Sequence, residues 1–382
     1  MLHRVISSVI SHASKCNDMG KPISFDYKYR LMQHLSEFMD GLYKKPKLRN
    51  LFWEATAQCN LSCKHCGSSC DSKMPEDSLT SKEMCGFFYQ LSNDFSPNEV
   101  MIYITGGEPL LRPDLFDVME QAAKLGFFWG MTTNGTLLTD SIIERMIQTN
   151  CKTLSVSLDG LEQSHNYLRD CDCFDEVIKN INKLVATERF SNIQVTSVIH
   201  KSNIHELRYV HELLESLDVD SWKLTNIEPI GRANQMKDIF LSANEFVELF
   251  EFVRACRQNP SKIHVAYGCS HYATLEYERD IRDHYYFCGT GIITASILYN
   301  GDIYVCPDVE RRNDLIQGNI REDNFSEVWH NRFKQFRVRR DKRSSTCIDC
   351  DDAFFCRGDS THTWDFDENI PKCCLKQLLD VM

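Results

Sequence analysis

The sequence predicts an α/β fold built on a parallel sheet. Three observations carry this. Strand-like and helix-like runs alternate six times between residues 47 and 260, the rhythm of βα units joined by right-handed crossovers. Several strand segments are apolar nearly throughout, as parallel strands covered on both faces are. Polar or glycine-bearing stretches recur at the strand ends, as GGEP, TTNGT and SLDG. That is the edge where parallel α/β barrels carry their sites.

The elements follow in order. Residues 1–46 form a mixed, polar N-terminal extension, with an amphipathic helix expected at 30–43 and stopped by Pro46. LFWEATA (51–57) reads as the first strand and 81–94 as a helix. EVMIYIT (99–105) is the second strand. The helix over 113–126 has Pro113 near its start and Gly126 at its end. Strands at 127–133, 152–159, 192–200 and 221–227 alternate with helices at 139–150, 174–187, 203–217 and 242–256. The rhythm stops near Pro260, so a main domain is expected over 47–260 and a smaller one over 261–382. The latter is richer in Cys, Asp and aromatic residues, with a hairpin expected at 295–306 turning on Asn300-Gly301.

The net charge of −11 argues against a general nucleic-acid binder. No apolar run is long enough to span a bilayer, and MLHRVISSVI lacks the pattern of a signal peptide. The 18 cysteines therefore point to metal in a reducing, cytoplasmic setting rather than to a disulfide scaffold. Cys16, Cys85, Cys151 and Cys256 stand alone and read as small buried hydrophobes. The basic island RVRRDKR (337–343) reads as a solvated helix end, the alternative being a docking strip for an acidic partner.

CNLSCKHC places Cys59, Cys63 and Cys66 as C-x3-C-x2-C directly after the first strand. Structural zinc and iron–sulfur sites normally take four protein ligands. Three thiolates on a four-iron cubane leave one iron open, and an open position is what separates catalytic metal sites from structural ones. The competing reading is a zinc site with its fourth ligand elsewhere. His65 is the nearest candidate, though ligation between two ligating cysteines would be cramped.

CNLSCKHC after the first strand, TGGEPLL after the second, TTNGT and SLDG after the third and fourth, and PIGRA after the sixth together resemble the radical SAM superfamily. The motifs stand in order over residues 48–260. The resemblance implies a partial (β/α)6 TIM-like barrel. Its open iron would be chelated by the amino and carboxylate groups of S-adenosylmethionine. Reductive cleavage would then give a 5′-deoxyadenosyl radical that takes hydrogen from substrate, chemistry supplied by the cofactor. It also implies roles: Cys59, Cys63 and Cys66 holding the cluster, His65 beside the adenine, and backbone groups of Gly106 and Gly107 at the methionine amine with Glu108 nearby. Ser157 and Arg169 would meet the ribose and carboxylate; for Arg169 a surface salt bridge is the alternative. TTNGT could equally be a plain turn. A flavodoxin- or ferredoxin-like electron donor is implied as a partner.

The late cysteines run Cys288, Cys306, then Cys347, Cys350 and Cys356 as C-x2-C-x5-C, then Cys373-Cys374. Their order resembles the SPASM extension of radical SAM enzymes, which implies a small α+β domain with two auxiliary iron–sulfur clusters. Ser360 stands where that pattern has a cysteine. The doublet Cys373-Cys374 or Cys269 could supply the missing ligand, or one iron could stay open; a zinc-ribbon lid without redox chemistry is the alternative. Asp308, two residues past Cys306, is a candidate acceptor of a substrate proton. The resemblance implies an enzyme that takes hydrogen from a peptide side chain, as a crosslinking maturase of a ribosomal precursor peptide. A sulfatase-type formylglycine maturase and a small-molecule dehydrogenase or isomerase are the alternatives. A non-catalytic iron–sulfur carrier or zinc protein is disfavoured, because a carrier has no use for the GGEP motif.

Overall fold

Six strands, β1 (Asn50–Glu54), β2 (Met101–Thr105), β3 (Phe128–Thr133), β4 (Cys151–Ser157), β5 (Asn192–Ile199) and β6 (Ser221–Asn226), pair side by side in parallel, each with the next. The computed structural model describes residues 25–236, 238–259, 261–283 and 286–380. Residues 1–24 of the expected N-terminal extension, including Cys16 and the MLHRVISSVI stretch, lie outside the described residues.

The sheet is larger than six strands. β7 (His264–Tyr267) adds in parallel beyond β6, and β8 (Thr294–Ile297) pairs in parallel with the free side of β1. The expected hairpin forms between β8 and β9 (Asp302–Tyr304), and β10 (Gly318–Asn319) pairs with β9. The result is a ten-stranded sheet of order β10-β9-β8-β1-β2-β3-β4-β5-β6-β7, a partial barrel that runs past residue 260. β11 (Trp364–Asp365) and β12 (Ile370–Pro371) form a separate ribbon. The turn of the hairpin is as expected: Gly301 has φ +93, open to glycine without strain.

The helices match their sequence signals. The helix Ser81–Asp94 starts with a capping box, Thr80 and Glu83 bonding each other's backbone, and Ser242 with Glu245 does the same for Ala243–Gln258. The N-terminal helix spans Phe25–Lys44. One core cluster joins sheet and helices across the whole parallel region, with Trp53, Trp129 and Trp222 fully buried. Trp129 donates its indole N–H to Thr149 O and Trp222 to Ser197 Oγ, so both bury their rings without leaving a donor unpaired. The basic island is neither a solvated end nor a docking strip along most of its length. Arg340 is buried and bonds Thr361, while Arg337 lies over Trp329 and donates to Gly291 O.

Candidate active site

β1 ends at Glu54, three residues sooner than the expected strand, and the chain turns into the cysteine loop. That loop is pinned from three sides. Asp71 closes its base, accepting from Cys59 N (2.7 Å) and donating its own N–H to Ala57 O. The GGEP edge pairs with it next: Gly107 N donates to Thr56 O and Glu108 N to Gln58 O, both at 2.8 Å. A Cβ at Gly106 or Gly107 would collide with the Thr56 or Gln58 carbonyl. The paired glycines are therefore what lets β2 approach the cysteines. The Gly107 N–H is spent on the loop, and an ammonium ion is a donor, so carbonyl oxygens are the groups suited to a methionine amine.

The third clamp is Arg232 of PIGRA. Its backbone N–H donates to Cys66 O (3.0 Å), its Nε to Cys63 O (2.8 Å) and its Nη1 to Cys70 O (2.9 Å). Gly231, with φ +57, packs so closely that a Cβ would strike the Cys66 and Gly67 carbonyls.

Cys59, Cys63 and Cys66 are thus held on one rigid loop, each within electrostatic reach of the others. Their sulfurs are not among the described groups tight enough to share a single ion. That spacing suits a multi-iron cluster better than one zinc. Burial raises the Cys59 and Cys63 thiols. Cys70, which the spacing argument passed over, is buried and hydrogen-bonds the Cys66 sulfur, holding Cys66 below the ordinary thiol range and itself above it. Its signal was visible as a fourth cysteine in CGSSC, but four residues past Cys66 is not a spacing that announces a ligand.

TTNGT is more than a turn. The buried Glu108 carboxylate accepts from Thr133 Oγ1 (2.9 Å), Asn134 N (2.8 Å) and Leu110 N (3.2 Å). Asn134 in turn reaches Asn60, beside Cys59, at 2.9 Å. Burial outweighs these bonds and raises the Glu108 carboxyl to about 7.

SLDG supplies a residue not singled out from sequence, Asp159. It is fully buried, accepts Val198 N–H (2.9 Å), and pairs with Arg169 Nε at 2.5 Å. Arg169 Nη1 also lies 3.9 Å from Cys63 Sγ. The surface-salt-bridge reading of Arg169 is therefore corrected to a buried pair beside the cysteine loop, its side chain only 12% exposed. Burial alone would raise the Asp159 carboxyl, but Arg169, His65 and His165 hold it well below the usual range. His65 sits 3.7 Å from Asp159, its pKa lowered to about 4 by burial, and its Nδ1 is buried without a hydrogen-bonding partner among the described residues. An orphaned ring nitrogen beside three thiols fits a cofactor with polar edges. Ser157 ends β4 next to Asp159 and is buried.

The late cysteines separate into two neighbourhoods. Cys269, Cys288 and Cys306 lie within electrostatic reach of one another, with Asp308 among them and its Oδ2 4.0 Å from Cys306 Sγ. Cys374 faces Cys347 and Cys350, and Cys356 faces Cys374. Cys373 instead has His271 and Glu228 within electrostatic reach, and shares Asp359 with Cys374. His271 is wedged between Glu228 Oε1 (3.1 Å) and Asp359 Oδ2 (2.9 Å). Ser360 is fully buried and bonds Thr363, and its neighbour Thr361 takes up the Cys288 sulfur at 3.1 Å.

Comparison with known families bears directly on this geometry. The radical SAM superfamily model matches residues 53–214, and that of an iron–sulfur cluster-binding domain, SPASM, matches residues 288–351. This chain carries a radical SAM domain and a SPASM domain. It is a radical SAM enzyme, and the two domains imply S-adenosylmethionine and iron–sulfur clusters. Among curated relatives, the AdoMet-dependent heme synthase of Methanosarcina barkeri is 28% identical over 359 residues, 88% of this chain and 98% of that one. The mycofactocin maturase MftC of Mycobacterium tuberculosis is 25% identical over 311 residues, 81% and 77% of the two chains. Among solved structures, Streptococcus suis SuiB bound to S-adenosylmethionine shares the fold with a TM-score of 0.71 at 19% identity, over 94% of this chain and 85% of that one. SuiB bound to its precursor peptide SuiA gives 0.67 at 16%, over 98% and 87%. Among the described residues no helix is long and apolar enough to cross a membrane.

Proposed function

We propose that this radical SAM enzyme takes a hydrogen atom from a peptide side chain, as a maturase of a precursor peptide. The observation that carries the chemistry is the cysteine loop itself, three thiols locked by GGE on one side and Arg232 on the other, with the Asp159–Arg169 pair and His65 alongside. Cys59, Cys63 and Cys66 would hold the cluster. Bound there, S-adenosylmethionine supplies a 5′-deoxyadenosyl radical. Gly106 and Gly107 carbonyls and the buried Glu108 present acceptors to the amine end. Arg169 presents its guanidinium to a carboxylate, a pairing its fork geometry favours. His65 would border the adenine, and Ser157 the ribose. Positioning the reacting groups is the protein's share of such chemistry.

Cys347, Cys350, Cys356 and Cys374 are proposed as one auxiliary cluster site, and Cys269, Cys288 and Cys306 as a second, with Asp308 beside it as acceptor of the substrate proton. Peptide as substrate is supported by the maturase among the relatives and by the shared fold of SuiB, which holds a precursor peptide. A second reading is favoured by a different observation: the heme synthase relative is matched over 98% of its length, so a tetrapyrrole is the competing substrate.

The test is anaerobic incubation of reduced, cluster-loaded enzyme with S-adenosylmethionine and deuterium-labelled candidates, a precursor peptide or an iron porphyrin. Deuterium appearing in 5′-deoxyadenosine from the peptide supports the proposal. Deuterium from the porphyrin alone replaces it with the second reading. No 5′-deoxyadenosine under any condition sinks both.

A further inference from the structure

Cys171 and Cys173 belong to neither cysteine group, and their sulfurs are joined in the structure. The loop that carries them begins one residue after Arg169. Asp170 turns it with φ +56, and Asn166 ties it down: its Oδ1 accepts from Cys173 N (3.1 Å) and Phe174 N (3.0 Å), and its backbone O from Cys171 N (3.2 Å). Both sulfurs are therefore fixed to the helix Glu162–Arg169, which also presents His165.

His165 is oriented for sulfur. Its Nδ1 accepts the Asp159 backbone N–H (3.1 Å), so the neutral ring carries its proton on Nε2, and Nε2 lies 3.7 Å from Cys173 Sγ. Burial lowers the ring to about 4, which keeps it neutral at physiological pH. The ligating atoms of His165, Cys171 and Cys173 fall within 4.8 Å of one another, near enough to hold a metal ion. A metal on Nε2, however, would push the ring proton to Nδ1, where it would face the Asp159 N–H donor to donor. The hydrogen bonding thus favours thiol chemistry over a metal.

We propose that Cys171 and Cys173 form a reversible redox-active disulfide, reduced by an external dithiol, whose state is transmitted to the cysteine loop through Arg169. Cys171 is half-buried and Cys173 buried, so Cys171 Sγ is the atom a reductant reaches. A reductant thiolate attacks it, a mixed disulfide forms, and the electron pair of the broken S–S bond leaves on Cys173 Sγ, stabilised by the His165 Nε2–H. The second thiolate of the reductant then attacks the mixed disulfide, closing its own disulfide and releasing the Cys171 thiolate. Two electrons pass to the protein, and the protons shed by the two reductant thiols end on the two cysteines. Freed of the crosslink, the turn that positions Arg169 against Asp159 and Cys63 is held only by its hydrogen bonds. The effect expected on S-adenosylmethionine rests on the function proposed above, whereas the thiol chemistry does not.

The test uses the cluster-loaded full chain. Trypsin cuts after Arg169 and Lys179 and releases one peptide, 170–179, holding both thiols and no other cysteine. Enzyme equilibrated anaerobically in reduced and oxidised dithiothreitol mixtures is quenched in acid, alkylated and digested. The expected result is two interconverting forms, one unalkylated and lighter by two hydrogen atoms, the other doubly alkylated, in a ratio set reversibly by the buffer. His165→Phe should slow reduction at least about tenfold while leaving the peptide fully reducible, the loss expected when a positioned proton donor is removed. The Kd for S-adenosylmethionine should differ at least about threefold between the two forms, and Cys171→Ser should abolish the difference. A doubly alkylated peptide at every ratio, or stoichiometric zinc lost only in Cys173→Ser, overturns the disulfide. Equal Kd values in both forms overturn the transmission through Arg169. Enzyme that binds no S-adenosylmethionine overturns the proposed function, and the peptide masses still decide the disulfide.

Discussion

Glu108 makes a prediction that separates its charge from its hydrogen bonds. Its carboxyl is fully buried and held at about 7, against 4.5 for an ordinary glutamate, because burial outweighs the three donors that face it. The folded state therefore binds its proton more tightly than the unfolded chain does. Stability from this group is fully present below about pH 4.5 and is lost as pH rises through about 7, a difference of about 3 kcal/mol. Glu108→Gln removes the titration. An amide can still accept Asn134 N–H and donate to Thr133 Oγ1, but its NH2 then faces Leu110 N–H, costing about 1 kcal/mol for a lost bond. The variant should be about 1 kcal/mol less stable than the parent at low pH and about 2 kcal/mol more stable above neutrality, the two curves crossing near about pH 5. Urea unfolding of the cluster-free protein, followed by tryptophan fluorescence over that range, measures the difference directly and cancels every other titrating group. Parallel curves would show that Glu108 ionises normally and that its place near the site is packing alone.

Other outcomes follow from the clamps and the thiol neighbourhoods. Arg232→Met removes two side-chain bonds to the cysteine loop, a loss of about 2 kcal/mol, and should lower iron bound after anaerobic reconstitution while far-ultraviolet dichroism stays unchanged. The parent should bind roughly eight to twelve irons, about three clusters, by iron assay; a value near four with zinc on the late cysteines would contradict the auxiliary assignment. Cys374→Ala should lose about one cluster's worth of iron and Cys373→Ala none, since only Cys374 faces Cys347 and Cys350. Asp159→Asn leaves Arg169 buried beside Cys63 without its countercharge, and should raise the Kd for S-adenosylmethionine by an order of magnitude or more in equilibrium dialysis.

The parallel sheet was legible because its signals are long. Helical periodicity over ten residues or more, capping residues and apolar strands all agreed for the first six units. What escaped was short or polar. β7 is four residues long, too brief for any period to show, and the hairpin signal that located β8 said nothing of its parallel pairing with β1. The helix Glu162–Arg169 is EQSHNYLR, mostly polar, and buries only His165 and Leu168 rather than an apolar stripe. In the site, motif spacing located the ligands but not their supports. Cys63 could be read from C-x3-C-x2-C, whereas Asp159, 96 residues on in number but joined to it through Arg169, becomes a partner only when β4 is laid beside the loop. Basic residues misled for the same reason: five within the seven residues of 337–343 look solvated until the fold turns Arg340 inward toward Cys288.

The doublet Cys373-Cys374 shows how backbone geometry limits what spacing can promise. Adjacent side chains diverge, so two neighbouring cysteines cannot both complete clusters on the same side. The structure divides them: Cys374 faces the thiols of Cys347 and Cys350, while Cys373 has the His271 imidazole, held between two carboxylates, within electrostatic reach. The neighbourhood of Cys288 and Cys306 must then be completed from the barrel side, and Cys269, two residues past the end of β7, is the thiol that reaches it. Burial raises the Cys269 and Cys306 thiols, whereas the buried Arg340 helps to lower that of Cys288, and Lys223 of β6 lies within electrostatic reach of Cys269. On the proposed assignment Ser360 leaves no gap for the doublet to fill: the thiol that the late motif lacks would come from the turn after β7, and the site around Cys288 and Cys306 would draw on both parts of the chain.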